Sequence, residues 1–211
     1  MARFGITSTK AYGVSVPTLR KIAKEIGTNR EIAQQLWTTG ILEARILAAL
    51  VDNPVKVTER QMEQWVQEFD NWAVCDTCCG NLFDRTPFTW RKAIEWSKRK
   101  EEFVKRASFA LMAWLAVHDK KADDKQFVKV FPLIKREATG ERNFVKKAVN
   151  WALRQIGKRN LSLNDHAIRI AREIQKLNSS SAKWIASDAL RELTGKAVQR
   201  RLSKKTKSRL R

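Results

Sequence analysis

Apolar residues recur along this chain every three to four positions, with polar residues between them. That period marks helices with one buried face. It predicts elements over 41–51, 60–69, 72–83, 88–96, 103–117, 124–136, 143–156, 163–177 and 182–193. Few segments show the alternation of two that strands require. Local signals sharpen the boundaries. Pro17 suits the first residue of a helix that runs to Ile26 and is closed by Gly27. Thr28 with Glu31, and Thr58 with Gln61, have capping-box spacing. Thr86-Pro87 opens another helix, and Pro132 is expected to kink or break its segment. Short connections make neighbouring helices antiparallel.

The helices also repeat. Phe103-Val104-Lys105-Arg106-Ala107, Phe144-Val145-Lys146-Lys147-Ala148 and Trp184-Ile185-Ala186-Ser187-Asp188-Ala189 end on alanines 41 residues apart. Thr77 and Ala44 fit the same column less well. A period near 40 lies in the HEAT/armadillo range, where units stack into a solenoid because none covers its own apolar face. An ordinary helical bundle is the alternative. The fold class expected is all-α, with HEAT-like repeats forming a curved solenoid. One domain is expected over 1–202, with a basic, mobile tail over 203–211. Asp76, Arg106, Lys147 and Asp188 each precede a column residue, so they are expected at equivalent sites on one surface.

Composition changes the picture at two points. Hydrophobic residues make up 43% of the 211, enough for a sizeable core. Forty-two Lys and Arg against 22 Asp and Glu leave a net charge of +20. Residues 142–211 hold 19 of those basic residues and only 4 acidic ones. Such a bias favours a polyanion, with nucleic acid first and an anionic membrane surface second. A merely soluble basic surface is the plain alternative. No apolar run is long enough to span a membrane, and Met1–Gly5 lacks the apolar core of a secretory signal. Cys75, Cys78 and Cys79 crowd together, which argues against a disulfide framework and for a reducing, cytoplasmic setting. The protein is expected to be a monomer without a metal or other cofactor.

Stock catalytic motifs are missing. There is no Walker loop and no Gly-x-Gly-x-x-Gly, and His118 and His166 form no metal motif. The three cysteines lack a second ligand pair and share one helix face, as core residues would. Trp72 and Asp76 share another face, at i and i+4. An aspartate among Trp, Val and Cys is costly to bury alone. Either Asp76 caps or pairs locally, or it faces a groove. Trp65, Phe69 and Trp72 form a stripe of the kind usually found in a core. Lys147, Trp151 and Arg154 share a face of a later helix, and basic residues interleaved with Trp suit a sugar–phosphate backbone.

Four ordered elements make the chain resemble the AlkD-type DNA alkylation repair proteins, which are HEAT-like-repeat DNA glycosylases. They are Gly13–Arg20, Asn71-Trp72 with Asp76, Phe103–Ala107 and Phe144–Arg154, and the resemblance spans roughly 1–195. It implies hydrolysis of the N-glycosidic bond of cationic alkylated bases such as 3-methyladenine and 7-methylguanine in double-stranded DNA. It further implies a base excision role without a base-flipping pocket. The resemblance assigns Asp76, Trp72 and Trp151 to catalysis, and Arg106 to the phosphates. Lys147, Arg154 and Arg20 are expected to add DNA contacts. Family members usually open with a further helix, and its lack before Met1–Tyr12 is expected to weaken the first repeat or the grip on DNA. A non-catalytic nucleic-acid-binding solenoid and a helical adaptor for an acidic protein are the competing readings.

Overall fold

Ser15 starts the first helix by accepting the amide of Thr18 on its hydroxyl, and Pro17 stands second in it with its φ already set. Gly27, at φ 70°, ends it in a backbone conformation that side chains disfavour. The computed structural model describes Ile6 and residues 10–209, and among them the regular structure is helical throughout. The helices are α1 (Val16–Ile26), α2 (Arg30–Thr38), α3 (Leu42–Val51), α4 (Glu59–Gln67), α5 (Trp72–Asn81), α6 (Thr89–Trp96) and α7 (Glu102–His118). There follow α8 (Asp124–Val128), α9 (Phe131–Glu137), α10 (Asn143–Gly157), α11 (Leu161–Gln175), α12 (Ser180–Leu193) and α13 (Lys196–Arg209).

Several boundaries differ from the sequence pattern. Asn29, not Thr28, caps α2: its amide oxygen accepts from Ile32 N at 3.0 Å. Thr58 caps α4 as expected, but the Gln61 side chain donates to Asp52 at 2.6 Å instead of reaching back to the cap. After Thr86-Pro87 the chain makes a turn before α6 begins at Thr89. Around Pro132 the segment breaks outright into α8 and α9. At the far end, α13 carries the chain as helix through the segment expected to be a mobile tail; Leu210 and Arg211 lie outside the described residues. Val198 and Leu202 are buried on α13, which gives that basic helix an apolar footing.

The chain divides into two units, Met1–Lys92 and Ala93–Arg211. In the first unit, α3 packs against α1, α2 and α5. Its core is aromatic. Trp37 stacks on Trp65 with centroids 3.8 Å apart and rings within 2° of parallel, and Phe69 meets Trp37 edge-on. Asp52 is buried there, offset by Arg30 at 3.6 Å and by Gln61. Isolated, such a carboxylate would be costly; paired and hydrogen-bonded it is tolerated.

In the second unit, α10 packs against α7, α11 and α12. The column alanines Ala107, Ala148 and Ala189 are all fully buried, so the sequence repeat is a packing repeat here. Thr77 and Ala44, in the first unit, are only half-buried and do not extend it. A pair of hydrogen bonds recurs at nearly the same period, 42 residues apart. Arg159 and Arg201 each donate to the carbonyl 43 residues earlier, those of Ala116 and Lys158. Gly157 closes α10 where three helices meet. A β-carbon there would lie 2.8 Å from Cβ of Ala167 and from Cδ2 of Leu193. Leu193 could swing aside, but Ala167 is fixed to the α11 backbone. Gly157→Ala should therefore lower stability by about 1–3 kcal/mol, the usual cost of overpacking. A thermal melt that leaves Tm unchanged would contradict this close packing.

Candidate nucleic-acid and catalytic residues

Asp70 and Asn71 set where α5 begins. Asn71 is buried, donates to Asp70 at 2.6 Å and accepts from Val74 N at 3.0 Å. Trp72 is thereby the first helical residue. The face carrying Val74, Cys75, Cys78 and Cys79 is fully buried, while Trp72, Ala73, Asp76 and Thr77 are half-buried. Trp72 and Asp76 thus share the outer face of a helix anchored by its cysteines. Trp65 and Phe69, their partners in the sequence stripe, belong to the aromatic core, so the stripe splits at the helix start.

The cysteines behave as core residues. Burial pushes the Cys78 and Cys79 thiols well above their ordinary range, and the nearby Asp76 charge adds to the effect on Cys79. Among the described residues no group of three or more His, Cys, Asp or Glu is placed to hold a metal.

Trp151 lies half-buried on α10. Its ring meets Trp114 of α7 edge-on, at 5.3 Å and 82°, and Trp114 stacks on His118 at 4.8 Å. The sequence pattern did not single out Trp114, and His118 entered it only as a histidine outside any metal motif. Trp114 stands in the long apolar run of α7, where spacing alone makes it a core residue; only its half-burial sets it apart.

Two of the expected DNA contacts have partners within the protein. Arg106 is only 6% exposed and donates to the Phe144 carbonyl at 2.7 Å, where it ties α7 to the first turn of α10. Phe103 and Phe144 meet beside it at 5.4 Å. Its placement is that of a strut, with little guanidinium left for a phosphate. Arg154 bonds Glu192 at 2.6 Å and lies 3.5 Å from Asp188, both on α12. Lys158 shares Glu192 at 2.6 Å. Burial by itself would raise the Glu192 carboxyl; Lys158 and Arg154 outweigh it and hold the group below its ordinary value. The Arg154 charge is engaged within the protein as an interhelical ion pair, with 29% of its side chain exposed. Lys147 and Arg20 are exposed, as a DNA contact requires.

The positions preceding the column are accordingly unequal. Arg106 is buried, Lys147 exposed, and Asp188 half-buried between Asn150, Arg154 and Arg191. The alanine column packs uniformly, but the residue before it lies at the helix margin, where the neighbouring helix decides how far it is covered. Trp72, Asp76 and Arg20 belong to the first unit, and Arg106, Lys147, Trp151 and Arg154 to the second. Charge divides in the same way. Residues 1–92 carry 12 Lys and Arg against 10 Asp and Glu, and residues 93–211 carry 30 against 12. No helix among the described residues is long and apolar enough to cross a membrane.

A family model described as "DNA alkylation repair enzyme" matches residues 1–193. No curated protein matches the sequence. A solved structure described as "A new family of proteins related to the HEAT-like repeat DNA glycosylases with affinity for branched DNA structures" superposes with a TM-score of 0.76. It is 19% identical in sequence, and the match covers 91% of this chain and 87% of that one. At that identity the likeness shows the fold, which is of the HEAT-like repeat kind.

Proposed function

The chain belongs to the DNA alkylation repair enzyme family, and from that premise we propose that it hydrolyses the N-glycosidic bond of cationic alkylated bases in duplex DNA. The observation that carries the reading is the outer face of α5. There a carboxylate, Asp76, is displayed one turn from an indole, Trp72, on a helix whose other face is fixed in the core.

The chemistry asks little more of the protein. A base such as 3-methyladenine or 7-methylguanine already carries a positive charge and leaves readily, so no acid need protonate it. What needs help is the oxocarbenium-like charge that grows on the deoxyribose. The Asp76 carboxylate stabilises that charge and orients or deprotonates the attacking water. The Trp72 and Trp151 rings add cation–π stabilisation as the charge develops. Lys147 and Arg20 take phosphates and position the duplex. Arg106 acts indirectly, by fixing α10 and with it Trp151.

This mechanism discriminates by charge on the leaving base, not by a pocket that reads its edge. In a base-release assay on duplexes with single lesions, 7-methylguanine and 3-methyladenine should be freed, and neutral lesions such as uracil should stay. Equal release of neutral and cationic bases would defeat it. The second reading is a DNA-binding protein without base release. The affinity for branched DNA ascribed to the protein of similar fold favours it. Bound but uncleaved methylated duplex would select that reading.

A further inference from the structure

Of the eight tryptophans, Trp37, Trp65 and Trp96 are buried, and Trp72, Trp90, Trp114 and Trp151 are half-buried. Trp184 is different, with 42% of its surface exposed. The core stripe of α12 runs through Ala182, Ile185, Ala186, Ala189 and Leu193, all fully buried. Trp184 lies off that stripe, among Lys183, Ser187 and Arg191 on the exposed face. An indole has no packing reason to stand there. From α10, the Lys146 ammonium sits 5.5 Å from its ring centroid, and the exposed Lys147 follows it. The cation holds the ring in place, while the indole remains largely open to solvent.

We infer that Trp184, with Lys146, Lys147 and Lys183, is a stacking site for an unpaired nucleobase of DNA. Trp184 itself lies outside the residues proposed for catalysis, the site shares Lys147 with the proposed duplex contact, and the inference rests on the reading of the protein as a DNA binder. A flat, exposed aromatic surface accepts the face of any base, and ammonium groups around it accept the adjoining phosphates. Paired bases in an intact duplex hide their faces, so the site selects DNA with a frayed, gapped or extended strand. The unit that carries it holds 30 Lys and Arg against 12 Asp and Glu, which suits a polyanion over an acidic patch on a small partner. The carboxylate of Glu141 bonds Ser180 at the start of α12 and marks the side from which a phosphate is kept away.

The test holds phosphate number constant. Three labelled DNAs are titrated with the full chain: a blunt duplex, the duplex with a single-stranded extension, and the duplex with an extension of equal length made of abasic nucleotides. The wild type should bind the normal extension about tenfold tighter than the abasic one, the scale of one stacked base. Trp184→Ala should bind the two alike and hold the blunt duplex as the wild type does. Trp184→Phe should keep part of the preference. A 2-aminopurine in the extension should be quenched by the wild type and less so by Trp184→Ala. A wild type indifferent to the bases, or a Trp184→Ala protein that keeps the preference, overturns the inference. A Trp184→Ala protein weakened equally on all three DNAs does so too. Release of 7-methylguanine from the blunt duplex should be the same in Trp184→Ala and wild type. Its absence in both would defeat the proposed catalysis without touching the stacking result.

Discussion

Asp76→Asn should leave a folded, DNA-binding protein that releases 7-methylguanine at least about 10²-fold more slowly, the loss typical when one preorganised electrostatic group is removed. The substitution keeps the shape and removes the charge. Because Asp76 lies on the half-buried face of α5, away from the Val74–Cys75–Cys78–Cys79 core, the helix should tolerate it. A purely structural aspartate would give the opposite result, with lower stability and near-normal release by the folded fraction. Circular dichroism melts and single-turnover kinetics at saturating enzyme separate the two. Trp72→Ala and Trp151→Ala should cost less, because a cation–π contact is worth about 0.5–2 kcal/mol. Arg106→Ala is expected to act through structure, loosening α7 from α10, and its loss should appear in stability as well as in rate.

The second large effect concerns salt. Duplex affinity should fall by about 10³-fold or more between roughly 50 and 200 mM salt if six or more phosphates are neutralised. Little sequence preference should accompany it, since phosphate contacts carry no base information. The second unit supplies the cations. On α13, Lys196, Arg200 and Lys204 recur at every fourth position on one exposed face. Replacing these three with Gln should reduce the slope of log affinity against log salt by about 3, at close to 0.9 per phosphate released. An unchanged slope would take α13 out of the interface. Affinity that hardly responds to salt would count against a phosphate-tracking surface altogether.

Much of this architecture was legible in the chain. The helical period gave most elements to within two residues, because each α-helix buries a stripe and the stripe is written in the sequence. The alanines at 107, 148 and 189 read as one column because close helix packing demands a small residue at each. Where the stripe was thin, reading failed. Helix α13 has few apolar residues, with Val198 and Leu202 turned inward, so the periodic pattern ended at 193 and did not show it. Of the candidate site, the Trp72–Asp76 pair was legible as an i, i+4 spacing. The fates of Arg106 and Arg154 were not. A sequence shows that an arginine is present but not that Phe144 or Glu192, some 38 residues on, engages it. Trp184 shows the converse: it stands one position before Ile185, which occupies the column of Phe103 and Phe144, and only its exposure sets it apart.

Cleavage of a glycosidic bond is what separates a repair enzyme from a DNA-binding protein of the same fold. The most direct measurement is the release of free 7-methylguanine from methylated duplex DNA, at enzyme excess, with the wild-type chain and Asp76→Asn side by side. The account predicts time-dependent release by the wild type, well above spontaneous depurination, and loss of most of that excess in Asp76→Asn. Release at the spontaneous rate by a wild-type protein that demonstrably binds the same DNA would contradict it.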